Sequence, residues 1–299
     1  MRKVKIMQDT FSRCNPIVNL IFYLGAIIFG MIFMHPLCLM AAAVTSITYY
    51  IYLKRIGGLK VLLGLAPVFI IISAINPLFN TRGETLLFSI GTRPYTLEAL
   101  IYGVAVATMF ICVILWFFTY NIVITSDKLT YLFGNVTPSL SVVFTMVLRL
   151  LPSYKRKLAA ISNARKCIGK YGENGGTKDR IKNGTTVVST LTSWALENSI
   201  VTADSMKSRG YGSSKRSNFV IYRFTSRDIW ILVLMIICIV TISFCGIKGG
   251  MSYTFIPDID FATNKFTVVG VLFYFIFLSL PIIIDVTEDV VWHFLKSRI

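Results

Sequence analysis

The sequence predicts an all-α, polytopic membrane protein of about six transmembrane helices plus cytoplasmic amphipathic helices. Three observations predict it. The mean hydropathy is +0.69, with 55% hydrophobic and only 15% charged residues, which lies outside the soluble globular range. Six apolar segments approach the ~20 residues needed to cross a bilayer's hydrocarbon core: residues 17–34, 36–53, 61–79, 97–120, 229–245 and 266–284. The basic residues, finally, are sorted by loop. Of 30 Lys and Arg, four precede the first segment, three (Lys54, Arg55, Lys60) follow the second, 17 lie in 121–227 and two follow the last. The four others, Arg82, Arg93, Lys248 and Lys265, fall in the alternate loops. Cytoplasmic loops collect Lys and Arg, so this alternation puts both termini and the large middle segment in the cytoplasm. It also accounts for the net charge of +16, which in a soluble protein would point to nucleic acid.

Taken in order, residues 1–16 form a short lead ending in Asn15-Pro16, a helix-start signal. The basic start followed by an apolar run imitates a signal peptide. The run is too long for one and no small-residue cleavage site follows, so an uncleaved first helix is expected. The first two apolar segments, joined at His35-Pro36, read as a hairpin of short, tilted helices. Ala66-Pro67 and Asn76-Pro77 are expected to interrupt the third segment and Leu280-Pro281 the last. Thr81-Arg82-Gly83-Glu84 reads as a turn, 85–90 as a short strand on the outer face, and Gly91-Thr92-Arg93-Pro94 as the turn back. Glu98 sits in the first turn of the fourth helix, at the positive end of its dipole, with Thr96 as its expected cap.

The basic middle, 17 Lys/Arg against five Asp/Glu, is the most informative part of the chain. Residues 126–134 form an amphipathic piece, with Leu129, Leu132 and Phe133 on one side, suited to a membrane surface. Residues 138–169 read as one long helix or two, bent near Pro152. The first half carries Leu140, Val143, Phe144, Val147, Leu148 and Leu151, and the second repeats Tyr154, Leu158, Ile161 and Ile168 at helical spacing. A polar loop follows, then a second amphipathic helix with Val187, Leu191, Trp194, Ala195 and Val201 as its stripe. The two helices run into the triplets Ala164-Arg165-Lys166 and Ser208-Arg209-Gly210, and glycine past a helix end with cations in its last turn is an ordinary cap.

Catalytic chemistry is missing. The stretch Gly172–Lys178 resembles a phosphate loop only loosely, since Thr precedes Lys, Asp179 follows, and helices rather than a strand flank it. His35 and His293 are expected at opposite membrane faces, so no metal pair arises. The six cysteines show no paired spacing and read as reduced packing residues. Asp285, Glu288 and Asp289 read as a solvated face. No cofactor and no metal site is therefore expected, and a membrane-bound enzyme would need a cluster that is not there. The helix interiors also lack the buried charges that ion-coupled carriers use.

Four stretches stand out together: the eight residues from Asn76-Pro77-Leu78-Phe79 to Gly83; Thr125-Ser126-Asp127-Lys128-Leu129 with Leu148-Arg149-Leu150-Leu151-Pro152; Ala164-Arg165-Lys166; and the ten residues from Ala203-Asp204 to Gly210-Tyr211-Gly212. In these the chain resembles a known family, the transmembrane T component of energy-coupling factor (ECF) vitamin and metal-ion transporters, a division of the ABC importers. The last stretch is the most specific. The resemblance implies a non-catalytic subunit in the cell membrane that joins two cytosolic ATPases to a small substrate-binding S component. It further implies that two coupling helices each end in an arginine triplet docked into one ATPase, here Ala164, Arg165 and Lys166, and Ser208, Arg209 and Gly210. Lys166 departs from the glycine usual in the first triplet, and Asn19 stands where many relatives have Lys.

Physical chemistry supports the arginines. A guanidinium stays charged and pairs bidentately with carboxylates, and truncating such an anchor at a partly buried interface costs ~2 kcal/mol or more. By charge counting alone Arg165 and Arg209 are two of 17 positive-inside residues; their placement, repeated at two helix ends, together with the resemblance reverses that order. Arg149 reads as a lipid-headgroup contact. The expected organisation is transmembrane helices 1–4 over 1–120, the coupling-helix module over 121–227 and helices 5–6 over 228–299. The expected partners are ATPases, an S subunit and membrane lipid, without nucleic acid. The alternative is a stand-alone carrier or channel whose basic loop sets topology or meets anionic lipid.

Overall fold

The computed structural model describes residues 10–79, 85–90, 93–136, 138–169, 176–213, 222, 224–251, 253 and 265–296. The chain divides into two compact units, one of Met1–Lys128 with Tyr222–Ile299 and one of Leu129–Ile221.

The first unit holds α1 (Thr10–Arg13), α2 (Pro16–Ile32), α3 (Pro36–Lys54), α4 (Ile56–Phe79), α5 (Leu97–Val123), α9 (Ser226–Ile247) and α10 (Lys265–Lys296). Among the described residues, five stretches are long and apolar enough to cross a membrane, Pro36–Lys54, Gly57–Phe79, Leu97–Val123, Ser226–Ile247 and Lys265–Trp292, and Pro16–Ile32 is a shorter apolar helix. They coincide with the six segments read from hydropathy. Between α4 and α5 lies an antiparallel hairpin of β1 (Leu86–Ile90) and β2 (Arg93–Thr96). The strand expected at 85–90 is therefore present, whereas Arg93 and Pro94, expected in the turn, belong to β2. The expected turn at 81–84 lies outside the described residues.

Local chemistry sets the helix starts. Asn15 caps α2 by accepting from the Ile17 amide at 3.0 Å, with Pro16 in the first position. His35 caps α3 through Nδ1, which accepts from Leu37 at 3.3 Å. Thr225 and Asp228 form a reciprocal capping box on α9. On α5 the expectation changes. Thr96 occupies the cap position without a side-chain cap bond, and the buried Glu98 instead accepts from both the amide and the hydroxyl of Thr85, at 3.1 and 2.6 Å. The carboxylate ties the hairpin to the helix start, where the helix dipole favours it.

The prolines expected to interrupt helices do not. Pro67 and Pro77 lie inside a continuous α4 and Pro281 inside α10, while of the two readings of 138–169 the single helix holds, with Pro152 inside α7 (Pro138–Cys167). Each costs one backbone bond, and in α4 tight packing against α5 holds the shape around Pro77. A Cβ on Gly103 of α5 would stand 2.6 Å from the Ser73 carbonyl oxygen and 3.1 Å from Asn76 Cβ, so only glycine admits that approach. The expected α2/α3 hairpin is loose, with few contacts between the two helices. Their partners are α4, α5, α9 and α10.

The core of the first unit is aromatic. Phe22 meets Phe11 at 5.4 Å, Trp116 at 5.4 Å and Phe277 at 5.3 Å between ring centroids, and Tyr49 lies 6.0 Å from Trp116. Edge-on pairs of this kind add to the area buried. α4 is the outlier, buried over only 6% of its apolar window.

Of the carboxylates near the end of α10, read as a solvated face, Asp289 is exposed as expected, Glu288 is half-buried and Asp285 is buried. Asp285 is 2% exposed and accepts from the Phe11 amide at 2.8 Å, Glu288 accepts from the Thr10 hydroxyl and pairs with Arg227, and Asp289 accepts from the Tyr52 hydroxyl. A buried carboxylate needs such donors. Their partners are far away in sequence, which hid the arrangement from pattern reading. All six cysteines are free, and five are buried; Cys167 is exposed.

Candidate coupling site

The second unit is built on α7 and α8 (Thr177–Ser208), reached through α6 (Ser126–Val136). α8 is rich in threonine, a poor helix former, yet runs unbroken. Thr185, Thr186, Thr190, Thr192 and Thr202 each donate to the carbonyl four residues earlier, so their hydroxyls follow the helix instead of competing with it. α7 and α8 are antiparallel: the Tyr154 ring meets Trp194 at 5.6 Å near the middle of the pair, and Arg165 reaches Asn183 towards one end. The Lys157 ammonium sits 5.2 Å from the centre of the Trp194 ring.

Of the expected α8 stripe, Val187, Leu191, Trp194 and Ala195 are partly buried as read. Val201 is not; it is 62% exposed, and Asn198, Thr202, Ser205 and Met206 continue the packed face. A straight helix advances 3.6 residues per turn, so a stripe drifts around it and Val201 falls off the seam. On α7, Val143, Val147 and Leu151 are exposed, as are Leu158 and Ile168 of its second half, while Phe144, Leu148, Tyr154 and Ile161 face inward. Leu140 lies among the residues whose side chains are not described.

The two triplets end their helices differently. Ala164, Arg165 and Lys166 fill the last turn of α7, and closure comes at Gly169, with φ +68° and an amide donating to Lys166 O at 3.0 Å. Lys166 therefore sits within the helix, which a glycine three positions later terminates. In the second triplet Ser208 is the last helical residue and Arg209 the cap. Gly210, at φ +77°, donates to Lys207 O and Tyr211 to Met206 O, both at 3.0 Å. These paired bonds form a complete Schellman closure.

Arg165 is half-buried, and its Nη2 donates to Asn183 Oδ1 at 2.7 Å; Arg209 is exposed. Around Arg165 a cleft of about 760 Å³ has Leu158, Val187 and Val188 on its floor and Lys155 and Arg180 at its rim. Near Arg209 a cleft of about 410 Å³ is lined by Leu150, Tyr154, Thr202, Met206 and Tyr211. The structure does not bring the two arginines together. Asn183 and Arg209 stand roughly 39 Å apart along α8 at 1.5 Å per residue. Cations at these C-terminal helix ends complement the helix dipoles.

Sequence reading missed Asn183. The signal was available, because Asn183, Val187, Leu191 and Trp194 share a face, and an amide on an apolar stripe requires a partner. The loose phosphate-loop candidate falls largely outside the described residues. Its end is described: Gly176 caps α8, and Thr177 and Lys178 open the helix. No group of three metal-ligating side chains gathers among the described residues.

With five long apolar helices and a sixth shorter one, the chain is a multi-pass membrane protein. The profile of the CbiQ family, cobalt transport protein, matches residues 8–221, a span that includes all four resembling stretches. The chain belongs to that family, which comprises the T components of ECF transporters, and is a membrane component of a transporter. The match ends at the residue where the second unit ends, leaving α9 and α10 beyond it. No curated protein matched the chain.

Proposed function

We propose that the chain is the coupling subunit of an ECF-type ABC importer. It relays ATP-driven closure of two cytosolic ATPases to a separate substrate-binding S subunit for metal-ion or vitamin uptake. On this reading both termini and the unit Leu129–Ile221 are cytoplasmic, as the loop charges favour. ATP is hydrolysed by the partners. Arg165 and Arg209 each enter an acidic groove of one ATPase, with their flanking triplet residues fixing the approach.

The observation that carries the reading is the placement of two arginines at opposite ends of one antiparallel helix pair, each beside a glycine-closed helix end. A separation of roughly 39 Å along α8 suits two separate partners and not one shared pocket. The exposed apolar residues Val143, Val147 and Leu151 of α7 and Leu196 and Ile200 of α8 offer a surface to an apolar membrane partner.

The test is the double variant Arg165→Glu, Arg209→Glu, purified in mild detergent. The chain is expected in the membrane at parental yield but without ATPases. Unchanged co-purification of ATPases would overturn the proposal, as would substrate flux through vesicles that contain this chain alone.

A further inference from the structure

Lys128 is the last residue of the first unit, and the chain leaves for Leu129–Ile221 immediately after it. It is 5% exposed. Its ammonium donates to the Ser12 carbonyl, to Ser12 Oγ at 3.3 Å and to the Val123 carbonyl at 2.9 Å. With its amide oriented to satisfy both neighbours, Asn19 accepts from Lys128 Nζ at 3.1 Å and donates to the Phe11 carbonyl at 3.0 Å. All these acceptors are neutral oxygens. Burial holds the ammonium below its ordinary range, at about 8, with nearby Cys14 opposing that shift. Burying a cation without a carboxylate is costly, and an apolar side chain of similar length would pack there more cheaply. Stability alone does not account for lysine at this position.

The same short helix is held from its other side. Thr10 donates to Glu288 and the Phe11 amide to Asp285, both on α10. Glu288 in turn pairs with Arg227, shortly after the chain re-enters the first unit at Tyr222. Both covalent crossings between the units are thus fastened, within the first unit, to α1 or to its α10 partner Glu288.

We infer that Lys128 and α1 form a mechanical tie that carries displacement of the unit Leu129–Ile221 into the membrane helices α2 and α10. Lys128 is a positioning residue, and the inference rests on the coupling reading above. Neutral acceptors suit such a role. Several directional bonds fix where the ammonium sits, so a pull on the chain beyond Leu129 is delivered to α1 rather than absorbed locally. α1 then passes it through Asp285 and Glu288 to α10, and through Asn15 and Asn19 to the start of α2.

Hydrogen–deuterium exchange of the purified complex with its ATPases, with and without ATP plus vanadate, tests the tie without knowledge of the substrate. In the parent, nucleotide is expected to change exchange in α8, at the start of α2 and at residues 285–292. In Lys128→Met the α8 change is expected to persist, while the changes in α2 and α10 shrink by about five-fold or more. A merely structural lysine would alter baseline exchange but leave the nucleotide-dependent difference in α2 and α10 at the parental size, and that result overturns the inference. If Lys128→Met does not accumulate, Thr10→Val combined with Asp285→Leu cuts both links from α1 to α10. Loss of the α10 response supports the tie, and a parental response overturns it. Recovery of the parent chain without ATPases overturns the coupling reading and the tie together, whereas parental transmission in Lys128→Met overturns the tie alone.

Discussion

Arg165 owes its position to Asn183. A hydrogen bond from a charged donor contributes ~1.5–3 kcal/mol, and partial exposure puts this one at the low end. Asn183→Ala should therefore weaken ATPase binding by about ten-fold through loss of that orientation. Asn183→Asp should weaken it further, because a carboxylate beside Arg165 competes with those of the partner. Titrated co-purification measures both. Residues of this kind divide sharply in legibility. The helix-end placement of Arg165 and Arg209 and the closing glycines was readable because a helix end is a local event, with cations and glycine in a fixed order. Asp285, Glu288 and Lys128 were not readable in role, since the groups that satisfy them come from the far end of the chain. A carboxylate near a helix terminus looks solvated until the residue that covers it is known.

Elements were legible to the extent that one solvent dictated them. Lipid demands about 20 apolar residues per crossing, and the six segments followed from that demand alone. The prolines misled, because the rule for an isolated helix ignores what packing supplies: α4 stays continuous where Ser73 and Asn76, in the turn before Pro77, press against Gly103. The α8 stripe failed only at Val201, where drift had accumulated. The Schellman closure of α8 gives a prediction at this scale. Gly210→Val places a β-branched residue at φ +77° and should cost about 1–2 kcal/mol, fraying the turn that presents Arg209. Gly210→Asn should cost less, since asparagine tolerates the left-handed region. Retention of ATPases by the valine variant is expected to fall well below that of the asparagine variant, at equal membrane yield.

At the scale of the molecule, the sequence grouped its charge into one segment, and the structure assigns Leu129–Ile221 to a compact unit of its own. What no pattern could supply was that Arg165 and Arg209 occupy opposite ends of one uninterrupted helix pair. That arrangement makes α8 a gauge with two settings, length and angle. Each added residue moves Arg209 outward by 1.5 Å and also swings it about 100° around the axis. One alanine inserted near the middle of α8 should thus uncouple an ATPase by turning its anchor away while barely changing the distance. Seven inserted residues restore the angle to within about 20° and lengthen the gauge by roughly 10 Å. Comparison of ATPase stoichiometry in the two insertions separates rotation from reach. Loss with one residue and partial recovery with seven is the expected order. A helix of this kind transmits the handedness of its winding as well as its span, so even the smallest insertion or deletion along it would be felt as torsion.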